Sequence, residues 1–261
     1  MQVYNRTDRR LHQLAQLLAK ASRSYVPKEE DDSHTNLYFD AMGQRLLTHS
    51  FGDDHRKLAF SLVHQTFEWV AVDGQEQTVA SLRGQSLEDL EASIAKAMSV
   101  AGFDGDAYNT PLHYEIPNYG DLADAFTPLE PEALIEWQYY RRLANQVGMA
   151  LLGYLSTPGQ ACIWPHHFDT GTYSLVADRM GIGYGLAMQD ELVGAPYFYV
   201  SAYPQNGKIE YSQARQLHAG HWKVTDGWQG AVLPLTTLPP RHSMRMIMRF
   251  VKEAADWYLR V

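Results

Sequence analysis

Between residues 36 and 83 the apolar residues come in short bursts, each closed by turn chemistry, and this punctuation limits the fold more than any other feature. Leu37-Tyr38-Phe39 and Leu46 to Phe51 flank Met42-Gly43-Gln44, the pattern of a hairpin. Leu58, Phe60 and Leu62 alternate with Ala59, Ser61 and Val63, which predicts a strand running on towards Val72. Asp73-Gly74 is a tight-turn signal, and Gln77 to Arg83 then returns antiparallel. Links this short leave no room for the crossover of about a dozen residues that parallel strands need. The expectation is an antiparallel meander of four strands.

Helical patterns surround it. Leu11, Leu14, Leu17 and Leu18 make one stripe over residues 6–22. Ser86-Leu87-Glu88-Asp89 opens a second helix, with Leu87, Leu90, Ile94, Ala97 and Met98 facing inward and Gly102 as its stop. Thr127-Pro128-Leu129-Glu130 reads as a third start, of a helix reaching about Leu155 and burying Leu134, Trp137, Leu143, Val147, Leu151 and Tyr154. Strands are expected again at 161–164, 172–177, 183–188, 196–203 and 231–235, before a last amphipathic helix at 243–259. The fold class is therefore α+β. Antiparallel sheet is built from two pseudo-repeated helix–meander–helix halves, with helices covering the sheet. The chain is expected to form a single compact unit, 1–261, in which halves 1–103 and 128–261 are joined by a Gly/Pro/Asn/Asp-rich linker, 104–127, with a short extended piece at 112–116.

With 45% hydrophobic and 20% charged residues the chain is of globular type. Its formal net charge of −8 argues against a broad basic face, and so against nucleic acid as a partner. A lone cysteine makes no internal disulfide and fits a reducing compartment. Leu11 to Ala19 is interrupted by His12, Gln13 and Gln16, so no signal-peptide core is read there. No apolar run approaches the roughly 18 residues of a membrane span. The expectation is a cytoplasmic protein without a membrane partner.

The possible chemistry gathers in Cys162-Ile163-Trp164-Pro165-His166-His167-Phe168-Asp169-Thr170. If the backbone there is extended, His167 and Asp169 share a face, as a carboxylate-oriented general base or as two metal ligands, with His166 next in line. The plainer reading packs one imidazole on Trp164 and lets Asp169 cap a turn with Thr170-Gly171. A speculative divalent-metal site draws on His167 and Asp169 with His218 and His221, although Gly220 spoils any helical spacing in the latter pair. Cys162 lies four residues from His166, about 13 Å along a strand at ~3.3 Å per residue, and reads as a small core residue. Tyr197, Tyr199 and Ser201 alternate with Phe198, Val200 and Ala202. One side of that strand is then apolar, and the other lines a cleft with Trp164, Tyr197, Tyr199 and Tyr203. Gly181-Ile182-Gly183-Tyr184-Gly185 has its third glycine too early for a dinucleotide fingerprint and reads as a flexible strand or turn.

The second half resembles an uncharacterised bacterial family of domain-of-unknown-function proteins. The resemblance is carried by the strand running into Phe168-Asp169, by Pro196 to Pro204, by Gly230-Ala231-Val232-Leu233-Pro234 and by the closing helix. It implies an α+β domain and assigns no activity or catalytic residue. The functional expectation is a small-molecule-binding protein with a His/Asp/aromatic cleft, of which a metal-assisted hydrolase is one version. The alternative is a non-catalytic interaction or scaffold protein that uses an aromatic surface, with a homo-oligomer as one form of that use.

Overall fold

The opening leucine stripe lies on a long helix, α1 (Gln2–Tyr25), of which thirteen residues are buried, polar Asp8, His12 and Gln13 among them. The structure, a computed structural model, describes residues 1–119, 126–239 and 243–261. It is α+β, with two antiparallel sheets and five α-helices among the described residues. The chain divides into two compact units. The first contains Gln2–Tyr139 and Ile163–Phe168, the second Tyr140–Cys162 and Asp169–Val261 together with Met1. Helix α4 (Pro131–Leu155) contributes to both. Among the described residues no helix is long and apolar enough to cross a membrane.

In the first unit, β1 (Tyr38–Asp40), β2 (Arg45–Leu47), β3 (Lys57–Ser61), β4 (Thr66–Val70) and β5 (Glu76–Ser81) pair in chain order. The expected meander is present with one strand more than expected. The segment predicted to run on towards Val72 is cut by a turn, where Gln65 adopts a left-handed φ of 53° and the Ser61 hydroxyl accepts from His64 N at 3.2 Å. Leu46, Leu58, Phe60 and Phe67 are fully buried. Helix α2 (Leu87–Val100) starts as its sequence predicts: Ser86 accepts from Asp89 N at 3.1 Å, and the Asp89 carboxylate accepts from Ser86 N at 2.9 Å.

Within the expected linker 104–127, a short helix α3 (Gly105–Asn109) buries Tyr108, whose hydroxyl donates to Leu17 O at 3.1 Å. The Arg23 guanidinium binds the carbonyls of Thr110 at 2.6 Å and Pro111 at 2.7 Å. No strand forms at 112–116, and residues 120–125 lie outside the described residues. Helix α4 begins later than its start signal suggests. Leu129, outside the helix, is held by Gln65, whose amide accepts from Leu129 N at 2.7 Å and donates to Leu129 O at 2.9 Å. Pro131, with φ preset, then becomes the first helical residue.

His49 makes this unit sensitive to acid. Burial pushes its pKa below the usual value, helped by neighbouring His34 and Lys57 and opposed by its hydrogen bond to the Ser33 carbonyl at 3.1 Å. The folded chain then binds a proton at His49 less readily than the unfolded chain. Stability therefore falls as pH drops through the unfolded histidine range near ~6.5, and levels off below the folded value. Urea midpoints measured from pH 7.5 down to 5 are expected to decline less steeply in His49→Gln than in the parent.

In the second unit β7 (Asp169–Val176), β8 (Met180–Ala187), β9 (Tyr197–Pro204), β11 (Gln229–Pro234) and β10 (His221–Val224) pair antiparallel in that spatial order. The short β6 (Cys162–Trp164) lies beyond β7. This is not a simple meander, because β11 returns between β9 and β10. Strand β10 escaped the sequence pattern. It is a four-residue edge strand whose Trp222 joins Tyr211, Trp257 and Tyr258 in an aromatic cluster. Helix α5 (Ser243–Tyr258) packs on β8, β9 and β11, and Phe198, Val200, Phe250 and Tyr258 are almost wholly buried. Helix α4 approaches the same face closely at Gly148, where an added Cβ would stand 2.9 Å from Thr172 and 3.2 Å from Tyr184. Residues 240–242, at the expected start of the last helix, lie outside the described residues.

Candidate functional site

The stretch from Trp164 to Phe168 does not run extended. Phe168 takes a left-handed φ of 57°, and its N–H donates to Trp164 O at 2.7 Å, closing a turn. A left-handed L-residue costs about 1–2 kcal/mol. Here the cost is offset by burying the ring completely. Phe168 stacks on His12 at 5.2 Å and on Trp137 at 6.0 Å. His12 is itself buried, with Nδ1 2.8 Å from the Tyr119 hydroxyl and Nε2 2.9 Å from Pro165 O. Gln16 donates to Pro165 O at 2.8 Å and accepts from Tyr114 at 3.0 Å. One turn before His12 on α1, buried Asp8 accepts from Trp137 Nε1 at 2.7 Å. Burial pushes the Tyr119 phenol up to about 12, with Asp8 adding to the effect and Arg9 opposing it. A polar row on α1 (Asp8, His12, Gln16) thus clamps the turn from inside the first unit.

This turn decides where the tandem histidines go. His166 packs against Trp164 at 6.2 Å, near edge-on, and against Tyr114 at 5.7 Å. His167 is exposed, its ring 4.4 Å from that of His166. The alternation that would pair His167 with Asp169 is broken at Phe168. His218 Nδ1 faces Glu253 at 2.6 Å, and His221 begins β10 in an exposed position. Among the described residues no three His, Cys, Asp or Glu side chains form a group that could hold a metal ion, and His167, Asp169, His218 and His221 make no such group. Cys162 is half-buried with Sγ 4.0 Å from Gly171 O.

Asp169 belongs to the second unit, and there it meets the predicted tyrosines. Register puts Tyr199 opposite Gly185 and Gly171, Ser201 opposite Gly183 and Tyr173, and Tyr203 opposite Gly181 and Leu175. These residues share the face of the sheet turned away from α5. The glycines of β8 leave space that the tyrosines fill. A Cβ on Gly185 would stand 2.7 Å from ring atoms of Tyr199, and one on Gly183 would stand 2.9 Å from Ser201 Oγ and 3.5 Å from the Tyr203 ring. One on Gly181 would overlap the Tyr173 hydroxyl. The glycine run expected as a flexible strand or turn is a strand, part of β8, and forms the buried floor of an aromatic layer.

Within this layer the Tyr199 hydroxyl donates to Asp169 Oδ2, and that of Tyr197 donates to Asp190 Oδ2 at 2.7 Å. Burial, then the Asp169 charge and hydrogen bond, hold the Tyr199 phenol well above its ordinary pKa, so it stays a donor. Trp228 meets Tyr199 edge-on at 6.3 Å. Tyr173 and Tyr203 are 52% and 51% exposed, with ring centroids 6.3 Å apart and planes at 48°. Next to them a recess of about 710 Å³ is lined by Tyr203, Pro204, Lys208, Glu210, Tyr211 and Gln229 among others. Of the predicted ligand-binding residues, Tyr197, Tyr199 and Tyr203 share the face that carries Asp169, with Tyr199 bonded to it, while Trp164 lies in the first unit with His166 and His167. Sequence reasoning missed the buried His12–Pro165–Phe168 contact and the recess. A histidine in an otherwise leucine-lined helix was the one available signal for the first; nothing local marks the second. Compared with protein-family models, with curated proteins and with solved structures, the chain has no significant match.

Proposed function

We propose that this chain is a small-molecule-binding protein whose ligand rests on the tyrosine face of the second unit. The observation behind the reading is the pair of half-exposed rings, Tyr173 and Tyr203, set against glycine positions of β8 beside a recess of ligand size. Such rings present apolar area at little entropic cost and carry a polar tip. Asp169 is the polar anchor, fixed by Tyr199. The test is saturation-transfer NMR with a panel of monosaccharides, short oligosaccharides, nucleosides and indoles. Binders are expected, and Tyr173→Ala or Tyr203→Ala is expected to weaken them about tenfold, equivalent to ~1.4 kcal/mol. A panel with no binder sinks the reading.

One observation favours a second reading. Leu175, 41% exposed, lies opposite Gly181 and Tyr203, extending the aromatic surface with an aliphatic side chain. A non-catalytic interaction surface that self-associates would use such a patch. Sedimentation equilibrium showing a dimer in the parent and a monomer in Leu175→Lys would favour it. We also propose that the two halves of the sequence, 1–103 and 128–261, are related by duplication, on the shared order of helix, antiparallel strands and helix: α1, β1–β5, α2 and α4, β6–β11, α5. The return of β11 beside β9 would be the later divergence.

A further inference from the structure

Tyr203 belongs both to the tyrosine face and to the recess beside it. The two features meet at Tyr203, near the end of β9. We propose that the ligand is an uncharged oligosaccharide of two or more sugar rings, lying over Tyr173 and Tyr203 and continuing into the recess. The proposal rests on the small-molecule reading above.

Three properties of the surface favour a sugar chain. Tyr173 and Tyr203 stand side by side with their planes tilted by 48°. They offer two separate stacking surfaces and no slot for a single flat ring, which suits successive rings of a chain. The polar groups around them are mixed in kind. The Tyr203 hydroxyl, held by buried Ser201, and exposed Gln229 offer hydroxyl and amide groups, and the Glu210 carboxylate in the recess and Asp169 further along the face accept. Sugar hydroxyls need donors and acceptors together. The charges also oppose an anionic ligand: Lys208 in the recess is balanced by Glu210, Asp169 adds a further negative charge on the face, and the whole chain carries −8. Among the described residues that line the recess, Lys208 is the single cation, too little for a phosphorylated ligand.

The experiment is isothermal titration of the full chain with cello-, malto-, xylo- and chito-oligosaccharides of one to six units, with nucleosides and indole in parallel. In at least one sugar series, affinity is expected to rise about tenfold or more between one ring and three. That gain is expected to be lost in Tyr173→Ala and in Tyr203→Ala. Gln229→Ala, on an exposed side chain of the recess, is expected to weaken the longer sugars only. It keeps the test informative should a tyrosine variant misfold. Tyrosine-dependent binding of nucleosides or indole without any sugar would overturn the oligosaccharide proposal and leave the small-molecule reading intact. Binding of none of these probes would overturn both. Sugar binding that survives Tyr173→Ala and Tyr203→Ala would place the ligand elsewhere and overturn the proposal.

Discussion

Replacement of Phe168 by alanine is expected to destabilise the protein by about 3–5 kcal/mol, as for other fully buried phenylalanines. The ring is completely buried, stacked on His12 and Trp137, and His12 is fixed by hydrogen bonds to Tyr119 and Pro165. A more specific expectation follows from the backbone. Position 168 sits at a φ of 57°, where alanine is strained and glycine is not. Phe168→Gly is therefore expected to be about 1 kcal/mol more stable than Phe168→Ala, the reverse of the usual order. Urea denaturation of the three proteins measures both differences. Equal stability of the glycine and alanine variants would show that the left-handed turn carries no strain.

Gly171→Ala is expected to cost about 3 kcal/mol or more, at the upper end of overpacking effects. The new methyl group would overlap the Tyr184 carbonyl oxygen and press on Gly185 Cα at 3.2 Å. Both atoms are backbone of β8, so no side-chain rotation relieves them, and β7 and β8 must move apart. Gly153 in α4 provides the contrast. Nothing lies within 4 Å of its added Cβ, so Gly153→Ala is expected to stabilise the helix by about 0.5–1 kcal/mol. Thermal and urea unfolding of the pair would show opposite shifts. A neutral Gly171→Ala would mean that the approach of β7 to β8 is looser than the structure has it.

The elements most readable in the sequence were those specified by neighbours along the chain. The α2 start at Ser86-Leu87-Glu88-Asp89, the Asp73-Gly74 turn and the leucine stripe of α1 depend on spacing and local hydrogen bonds, and all three are present. What spacing misled on was overridden by distant partners. Leu129 stays outside the helix because Gln65 holds both its backbone groups, and this delays α4 to Pro131. Phe168 turns left-handed because its ring has a place between His12 and Trp137, and this removes the alternation on which pairing His167 with Asp169 relied. The tyrosine side of β9 was legible from alternation alone. Its floor was not, because the role of Gly181, Gly183 and Gly185 depends on which strands flank them, and nothing in the glycine run states that.

The clamp on the Pro165 turn also dictates where hydrogens sit. A carbonyl oxygen can only receive a hydrogen, so the His12 nitrogen facing Pro165 O must carry one. In a neutral imidazole that leaves the other nitrogen bare, and the Tyr119 hydroxyl must point its hydrogen towards it. One tautomer is thereby selected by an atom more than a hundred residues away in the chain. A second proton on the ring would force the phenol to swing its hydrogen elsewhere. The neutral ring of His12 is thus held in one tautomer as a strut against the Pro165 turn.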